Sequence, residues 1–271
     1  AGDFTTAPEM TPLFGAALAV QVDAILRATP GREIVELGAG SGRLARDLLA
    51  ALAERDALPS RYAILELSPE LALRQRATLQ ALPGHLHARV EWLSTLPAAI
   101  DGAIVANEVL DAIPVHLVAR RGGRYFERGV AEDERRGTLA WADRPAPDWL
   151  AACARARFPE AIDYQSELNP AAEGLVEELG RILVHGAALF VDYGFGAAEY
   201  YHPQRDQGTL VCHYRHRVHH DPFRWPGLSD ITAHVDFSAV AAAGERAAAK
   251  KERCLRGEAR DREAGAVAGR G

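Results

Sequence analysis

Glu33-Ile34-Val35-Glu36-Leu37-Gly38-Ala39-Gly40-Ser41-Gly42-Arg43-Leu44-Ala45-Arg46-Asp47-Leu48-Leu49 changes its apolar rhythm in mid-course. Ile34, Val35 and Leu37 form a short apolar run, the mark of a buried strand. Glycines then stand at every second position, Gly38, Gly40 and Gly42. Beyond them Leu44, Ala45, Leu48 and Leu49 repeat at the three- and four-residue spacing of one helix face. Strand, glycine turn and helix make the first half of a nucleotide-binding βα unit. A dinucleotide fingerprint would carry its third glycine at position 43, where this chain has Arg43. The altered spacing suits a ligand such as S-adenosylmethionine, which has no pyrophosphate and needs only bare backbone beside its ribose and amino-acid end. The structural alternative is a tight strand-to-helix turn that holds nothing.

The second strand of that unit is expected over Tyr62 to Leu67, with Ser68-Pro69 opening a helix over residues 69–81. Glu66 ends this strand, where a ribose diol calls for a bidentate acceptor. Short strands follow at Val90–Leu93 and Ala103–Ala106, and the latter runs into Asn107-Glu108-Val109-Leu110-Asp111-Ala112-Ile113-Pro114. Open α/β sheets bind ligands beyond the carboxyl ends of their strands. Asn107, Glu108 and Asp111 stand at that edge, and Asn107 or Asp111 also has the chemistry to cap a following helix. A helix over residues 171–183, with Glu167-Leu168-Asn169-Pro170 as its start, and a fifth strand, Ala187–Val191, restore the rhythm, and the strand ends in polar Asp192-Tyr193-Gly194.

Three segments break the pattern. Polar Asp3 to Met10 precedes a helix over Phe14–Leu26 and reads as lead-in rather than lid. Val115–Val118 and Tyr125–Arg128 flank Arg121-Gly122-Gly123 as a hairpin, with Thr138–Trp141 as a third strand and Ala131–Gly137 as a solvated loop. His213, His216, His219 and His220 lie in a polar stretch whose spacing fits no standard metal-ligand set, so it is expected to wall a pocket and to hold no metal. From Ala241 onward aromatics vanish, and a frayed helix or disorder is expected.

The 271 residues suffice for one large domain, and 48% hydrophobic content supplies a core. A net charge of −6 without a long basic stripe argues against nucleic acid as the main partner. Cys153, Cys212 and Cys254 are far apart and odd in number, which fits a reducing compartment. No apolar run reaches the roughly 20 residues of a membrane span. No signal peptide opens the chain, which begins at Ala1 without a methionine, as a trimmed fragment or a processed protein would.

The chain resembles the MidA-type class I methyltransferases, a family that includes a mitochondrial complex I assembly factor acting on arginine. The resemblance rests on GDFTTAPEM (2–10), FG (14–15), ELGAGSGRLARD (36–47), ELSPEL (66–71), NEVLDAIPVH (107–116) and VDYGF (191–195). It rests further on the long and unusual EYYHPQRDQGTLVCHYRH (199–216) and DPFRWPGLSDITAHVDF (221–237). It implies an α/β, Rossmann-like sheet that binds S-adenosylmethionine. The domain is expected over residues 1–245, with an antiparallel insertion at 116–165 and a low-complexity tail at 246–271. By match, Glu36, Gly38, Gly40, Gly42, Glu66, Leu67 and Asn107 would hold the cofactor. Glu108 and Asp111 would orient a cationic acceptor, three residues apart on one helical face, and His234 would take or orient a proton. The implied partner is a protein substrate, a respiratory complex I subunit among them. The implied compartment is cytoplasmic in a bacterium and the mitochondrial matrix in a eukaryote.

The family continues past about Phe237 with further strands, whereas this chain turns to an Ala/Arg-rich tail. The sheet is therefore expected to keep an exposed edge, as in a truncated or frame-altered member. Two alternatives differ in class: an assembly chaperone that keeps the fold without turnover, and a nicotinamide dehydrogenase, which the glycine spacing disfavours.

Overall fold

The computed structural model describes residues 6–160, 162–215 and 217–251. In chain order, α1 (Ala7–Met10) and α2 (Leu13–Ala28) lead to β1 (Glu33–Leu37), α3 (Arg43–Glu54) and β2 (Arg61–Leu65). α4 (Pro69–Leu79), α5 (Gly84–His87), β3 (Val90–Leu93) and β4 (Ile100–Asn107) follow. The chain then makes an excursion through β5 (His116–Arg121), β6 (Arg124–Asp133), β7 (Thr138–Pro145), α6 (Asp148–Arg157) and β8 (Tyr164–Leu168). It returns through α7 (Pro170–Ile182) to β9 (Leu183–Val191). Short elements come next: β10 (Gly194–Phe195), α8 (Ala197–Tyr200), β11 (Val211–Tyr214), β12 (Arg217–His219), β13 (Asp230–Thr232) and β14 (Val235–Asp236). Residues 237–251 are helical.

The central sheet is parallel, in the order β3-β2-β1-β4-β9. Val35 of β1 lies between Ala63 of β2 and Ile104 of β4. Both faces are covered, as a parallel sheet requires. Ile34 packs with Leu26 of α2 and Leu48 of α3 on one side. Val35 packs with Leu179 and Ile182 of α7 on the other. Local chemistry starts the helices where they are needed. Ser68 Oγ accepts the Leu71 N–H at 3.3 Å ahead of Pro69, and Asn169 Oδ1 accepts that of Ala172 at 2.9 Å ahead of Pro170.

Four expectations need correction. Ala131–Gly137 is not a loop throughout: β6 runs on to Asp133, and only the tip turns before β7. The cross-strand pairs Arg128–Asp143, at 2.8 Å, and Glu127–Arg144, at 2.6 Å, show why a charged stretch forms a ladder. The insertion is a four-stranded sheet, β7-β6-β5-β8, with α6 packed on it, and it closes at Leu168 rather than 165. Glu167 and Leu168 accordingly end a strand instead of opening a helix. The chain after residue 241 is not simply frayed, because residues 237–251 pack on α7. Ala243 is buried there, and Arg246 pairs with Glu177 at 2.6 Å and Glu173 at 3.2 Å. The rest of the expected tail, 252–271, lies outside the described residues. Among the described residues β9 is an edge strand.

The histidine-rich stretch forms a small antiparallel flap, β12-β11-β13, rather than a loop. His216 lies outside the described residues. Glu167 pins this flap to the insertion. Its buried carboxylate accepts the N–H groups of Thr209, at 2.9 Å, and Leu210, at 3.1 Å, together with the hydroxyls of Thr209, Tyr200 and Ser166. Glu167→Ala leaves these donors buried and unmatched, so it should cost at least about 1–3 kcal/mol in urea denaturation. An unchanged midpoint would show that the flap is held elsewhere.

Candidate active site

A cavity of about 590 Å³ opens beyond the carboxyl ends of β1 and β4. This lies within the roughly 300–1,000 Å³ range of small-molecule sites. One wall is the glycine turn, Gly38 to Ser41, with Glu36 beneath it. The facing wall carries Asn107, Glu108, Asp111, Asp230 and Thr232. Thr6, Pro8 and Glu9 form part of the rim.

The glycine turn offers bare backbone. Gly40 has φ +54°, and a Cβ built on it would meet nothing within 4 Å. A side chain there would not collide with the turn itself but would project into open space. Gly42 serves differently, as the left-handed residue that starts α3, with its α-carbon face against Gln75. It does not line the cavity.

Glu66 stands just past β2, because the strand ends at Leu65 rather than 67. Its carboxylate accepts the Ser68 N–H and the Gln75 amide, both at 2.8 Å. Gln75 is fully buried, also donates to the Gly40 carbonyl at 3.1 Å, and accepts from the Trp92 indole at 3.0 Å. One buried amide thus ties the ends of β1, β2 and β3 together. No separate sequence signal marked Gln75, whose role exists only through the fold. Leu67, expected at the cofactor, is 80% exposed, and neither it nor Glu66 lines the cavity.

Asn107 ends β4 as expected, but no helix follows it. Residues 108–113 form a turn. Glu108 has a left-handed φ of +52°, and the caps expected of Asn107 or Asp111 give way to Asp192, which receives the N–H groups of Val109, Leu110 and Asp111. Glu108 and Asp111 share the cavity wall by this turn, not by a helical face. Glu108 Oε2 is buried and finds no hydrogen-bond partner among the described residues.

Electrostatics mark the same wall. Burial, and then the charges of Asp192, Glu108 and Asp230, push the Asp111 carboxyl up to about 7. Burial and Asp192 also raise Glu108, while the Ala7 backbone N–H and the Asn107 side chain pull it back. Burial pushes the Glu36 carboxyl up to about 7 against a 2.7 Å hydrogen bond from Tyr62.

The opening segment is more than lead-in. Glu9 bonds the Ser41 hydroxyl, and Arg43 donates to the Glu9 carbonyl at 2.7 Å. The Ala7 N–H reaches Glu108, so this strap touches both walls. His234 does not. It lies outside the main cavity, stacked on Phe195 at 5.2 Å, where aromatic packing and a 3.1 Å bond from its N–H to Thr209 Oγ1 hold it. Its expected catalytic role is not supported by this placement. Among the described residues no group of His, Cys, Asp and Glu side chains is arranged to hold a metal ion.

Residues 14–254 match the family model described as "Putative S-adenosyl-L-methionine-dependent methyltransferase". The chain belongs to this family. A Burkholderia thailandensis protein solved with S-adenosyl-homocysteine is 50% identical, with a TM-score of 0.85 over 90% of this chain and 63% of that one. Mouse protein arginine methyltransferase NDUFAF7, mitochondrial, is 30% identical over 269 residues, 88% of this chain and 58% of its own length. The human protein of that name is 28% identical over the same shares. The chain thus spans less than two thirds of each of these relatives. The MidA-type resemblance and the α/β methyltransferase fold both stand. Among the described residues no helix is long and apolar enough to cross a membrane.

Glu36 supplies a test of the cavity's electrostatics. Its carboxyl keeps a proton in the folded chain at pH values where the unfolded chain, near 4.5, has lost it. Its contribution therefore falls as pH rises from 4.5 to about 7. Glu36→Gln should gain stability relative to wild type across that window, by up to about 3 kcal/mol. Urea denaturation over a pH series checks this, and parallel pH dependences for the two proteins would disprove it.

Proposed function

We propose that this chain binds S-adenosylmethionine along the glycine turn and transfers its methyl group to a nitrogen of an arginine side chain in a protein substrate. One observation carries the reading. A single cavity sets bare glycine backbone against a wall of carboxylates, one of which has a buried oxygen without a partner. The open face of Gly40 fits a ligand lying directly on the backbone, and the cavity volume fits one of nucleoside size. Family membership and the S-adenosyl-homocysteine held by the Burkholderia thailandensis relative support the cofactor. The names of the 28–30% identical relatives support arginine as the acceptor. The MidA-type resemblance extends the proposal to a substrate in respiratory complex I assembly, in the matrix for a eukaryotic chain and the cytoplasm for a bacterial one.

The residues divide the work. Gly38, Gly40 and Glu36 shape the cofactor wall, and Asn107 closes it. Glu66, held beside Gly40 by Gln75, accepts the ribose hydroxyls with the lone pairs its two internal bonds leave free. When bound, the cofactor supplies an electrophilic methyl on a sulfonium, and the sulfur keeps the electron pair of the broken bond. Glu108 and Asp111 hold the guanidinium by charge-assisted hydrogen bonds and point its nitrogen at that methyl. Asp111, titrating at about 7, takes up the proton that the methylated nitrogen releases.

Glu108→Gln keeps the shape and removes the charge. Cofactor affinity, followed by calorimetric titration, should stay within about twofold, since the residue faces the acceptor. Tritiated methyl incorporation into an extract of cells lacking the enzyme should fall at least about a hundredfold, the scale of a lost transition-state contact. A wild-type rate would remove Glu108 from the mechanism. Loss of cofactor binding would move it to the cofactor wall. Titration with S-adenosylmethionine and with NAD separates the methyltransferase from a dehydrogenase. Binding without turnover of any extract protein would favour the chaperone alternative.

A further inference from the structure

The turn that carries Glu108 and Asp111 is held from outside the cavity. β4 and β9 end level with each other, Asn107 opposite Val191. The Glu108 N–H donates to the Val191 carbonyl at 2.8 Å, so the residue after Val191 lies beside the residues after Glu108. That residue is Asp192. Its Oδ2 receives the N–H groups of Val109, Leu110 and Asp111 at 3.1, 2.9 and 3.4 Å, and its Oδ1 receives that of Tyr193 at 3.0 Å. Three successive backbone donors converging on one oxygen is the arrangement of a capped helix start, yet no helix follows. Asn169 holds the other side of the turn, donating to the Ile113 carbonyl at 3.2 Å. Leu110 is buried between them.

The turn needs this hold. Glu108 is a non-glycine residue at φ +52°, a conformation that costs about 1–2 kcal/mol and persists only where its surroundings impose it. Asp192 itself does not line the cavity. Its carboxylate is spent on the backbone, and it lies close enough to raise both cavity carboxyls.

We propose that Asp192 is the positioning residue of this site: its grip on the N–H groups of Val109 to Asp111 aims Glu108 and Asp111 into the cavity. The proposal rests on the reading of those two residues as the acceptor-binding groups. Asp192 acts by fixing their backbone and contributes nothing to the cofactor wall.

Two substitutions and four readouts test it, in the full chain. Asp192→Ala removes the accepting oxygens. Hydrogen exchange at the amides of Val109, Leu110 and Asp111 should quicken at least about tenfold. Calorimetric affinity for S-adenosylmethionine should stay within about twofold, while tritiated methyl incorporation falls about a hundredfold, the scale of a misplacement of about 1 Å. Asp192→Asn keeps an accepting oxygen and loses the charge. Those amides should stay protected, and the Asp111 titration, followed by carbon-13 carboxyl NMR, should move to lower pH. Glu108 and Asp230, the other carboxylates acting on Asp111, are unaltered in both variants. Wild-type exchange or wild-type incorporation in Asp192→Ala overturns the proposal. If the alanine variant does not fold, an unshifted Asp111 titration in Asp192→Asn overturns it instead. The acceptor reading fails separately: a wild-type rate in Glu108→Gln beside deprotected amides in Asp192→Ala sustains the grip on the turn and removes the role assigned to Glu108.

Discussion

Ile34 and Val35 of β1 point to opposite faces of the sheet, and neither touches solvent. α2 and α3 cover one face and α7 the other, so β1 has no free side along its length. Its backbone is paired on both edges, to β2 and β4. A strand enclosed in this way meets solvent only at its ends. The chain leaves the carboxyl end through Gly38 to Gly42, and β4 leaves beside it through Asn107 and Glu108. Asn107, Glu108 and Asp111 are thereby brought to one opening with the glycine turn. The cavity follows from enclosing the sheet.

Once gathered, the carboxylates raise the cost of ionising Asp111. Burial disfavours charge on Asp111, Glu108 and Asp192, and the charges of Asp192, Glu108 and exposed Asp230 add to that cost at Asp111. Such an arrangement opposes folding at neutral pH and is retained against that cost. Asp192 is compensated by the N–H groups of Val109, Leu110, Asp111 and Tyr193, whereas Glu108 keeps an oxygen without a partner among the described residues. A cation entering the cavity meets groups whose strain it relieves, which makes binding of positive charge more favourable than the same groups would allow in water.

The sequence makes the parallel sheet legible because its signals are local. The glycine spacing, the apolar runs of β1, β2 and β4 and the Ser68-Pro69 and Asn169-Pro170 starts each lie within a few residues. Asn107, Glu108 and Asp111 could be read as cavity residues because they stand at or just past the end of β4, and Glu36 through the family resemblance. What resisted reading depends on distant partners. Ala131–Gly137 looks like a solvated loop until Arg128 meets Asp143 and Glu127 meets Arg144 across a hairpin whose β6 runs on to Asp133. Gln75 is one polar residue on a helix until the ends of three strands converge on it. Asp192 is one polar strand end among several until the residues after β4 are laid against it. His234 is the opposite case: a chemically suggestive residue in a matching stretch that stacks on Phe195 and does not line the cavity.

Among the described residues β9 has a strand partner on only one side. Along its outer side the N–H and C=O groups that a ladder would use face outward, and backbone pairing is blind to the identity of the chain that supplies the partner. Such an edge accepts any extended segment brought into register, whether from another protein or another copy. Lys251 limits where this can begin, since its ammonium bonds the carbonyls of Leu183 and Val184 at the amino end of the strand. Sheet growth on this side would therefore start beyond that ammonium, toward the cavity end, and each added strand would lengthen the wall on which the carboxylate turn is built.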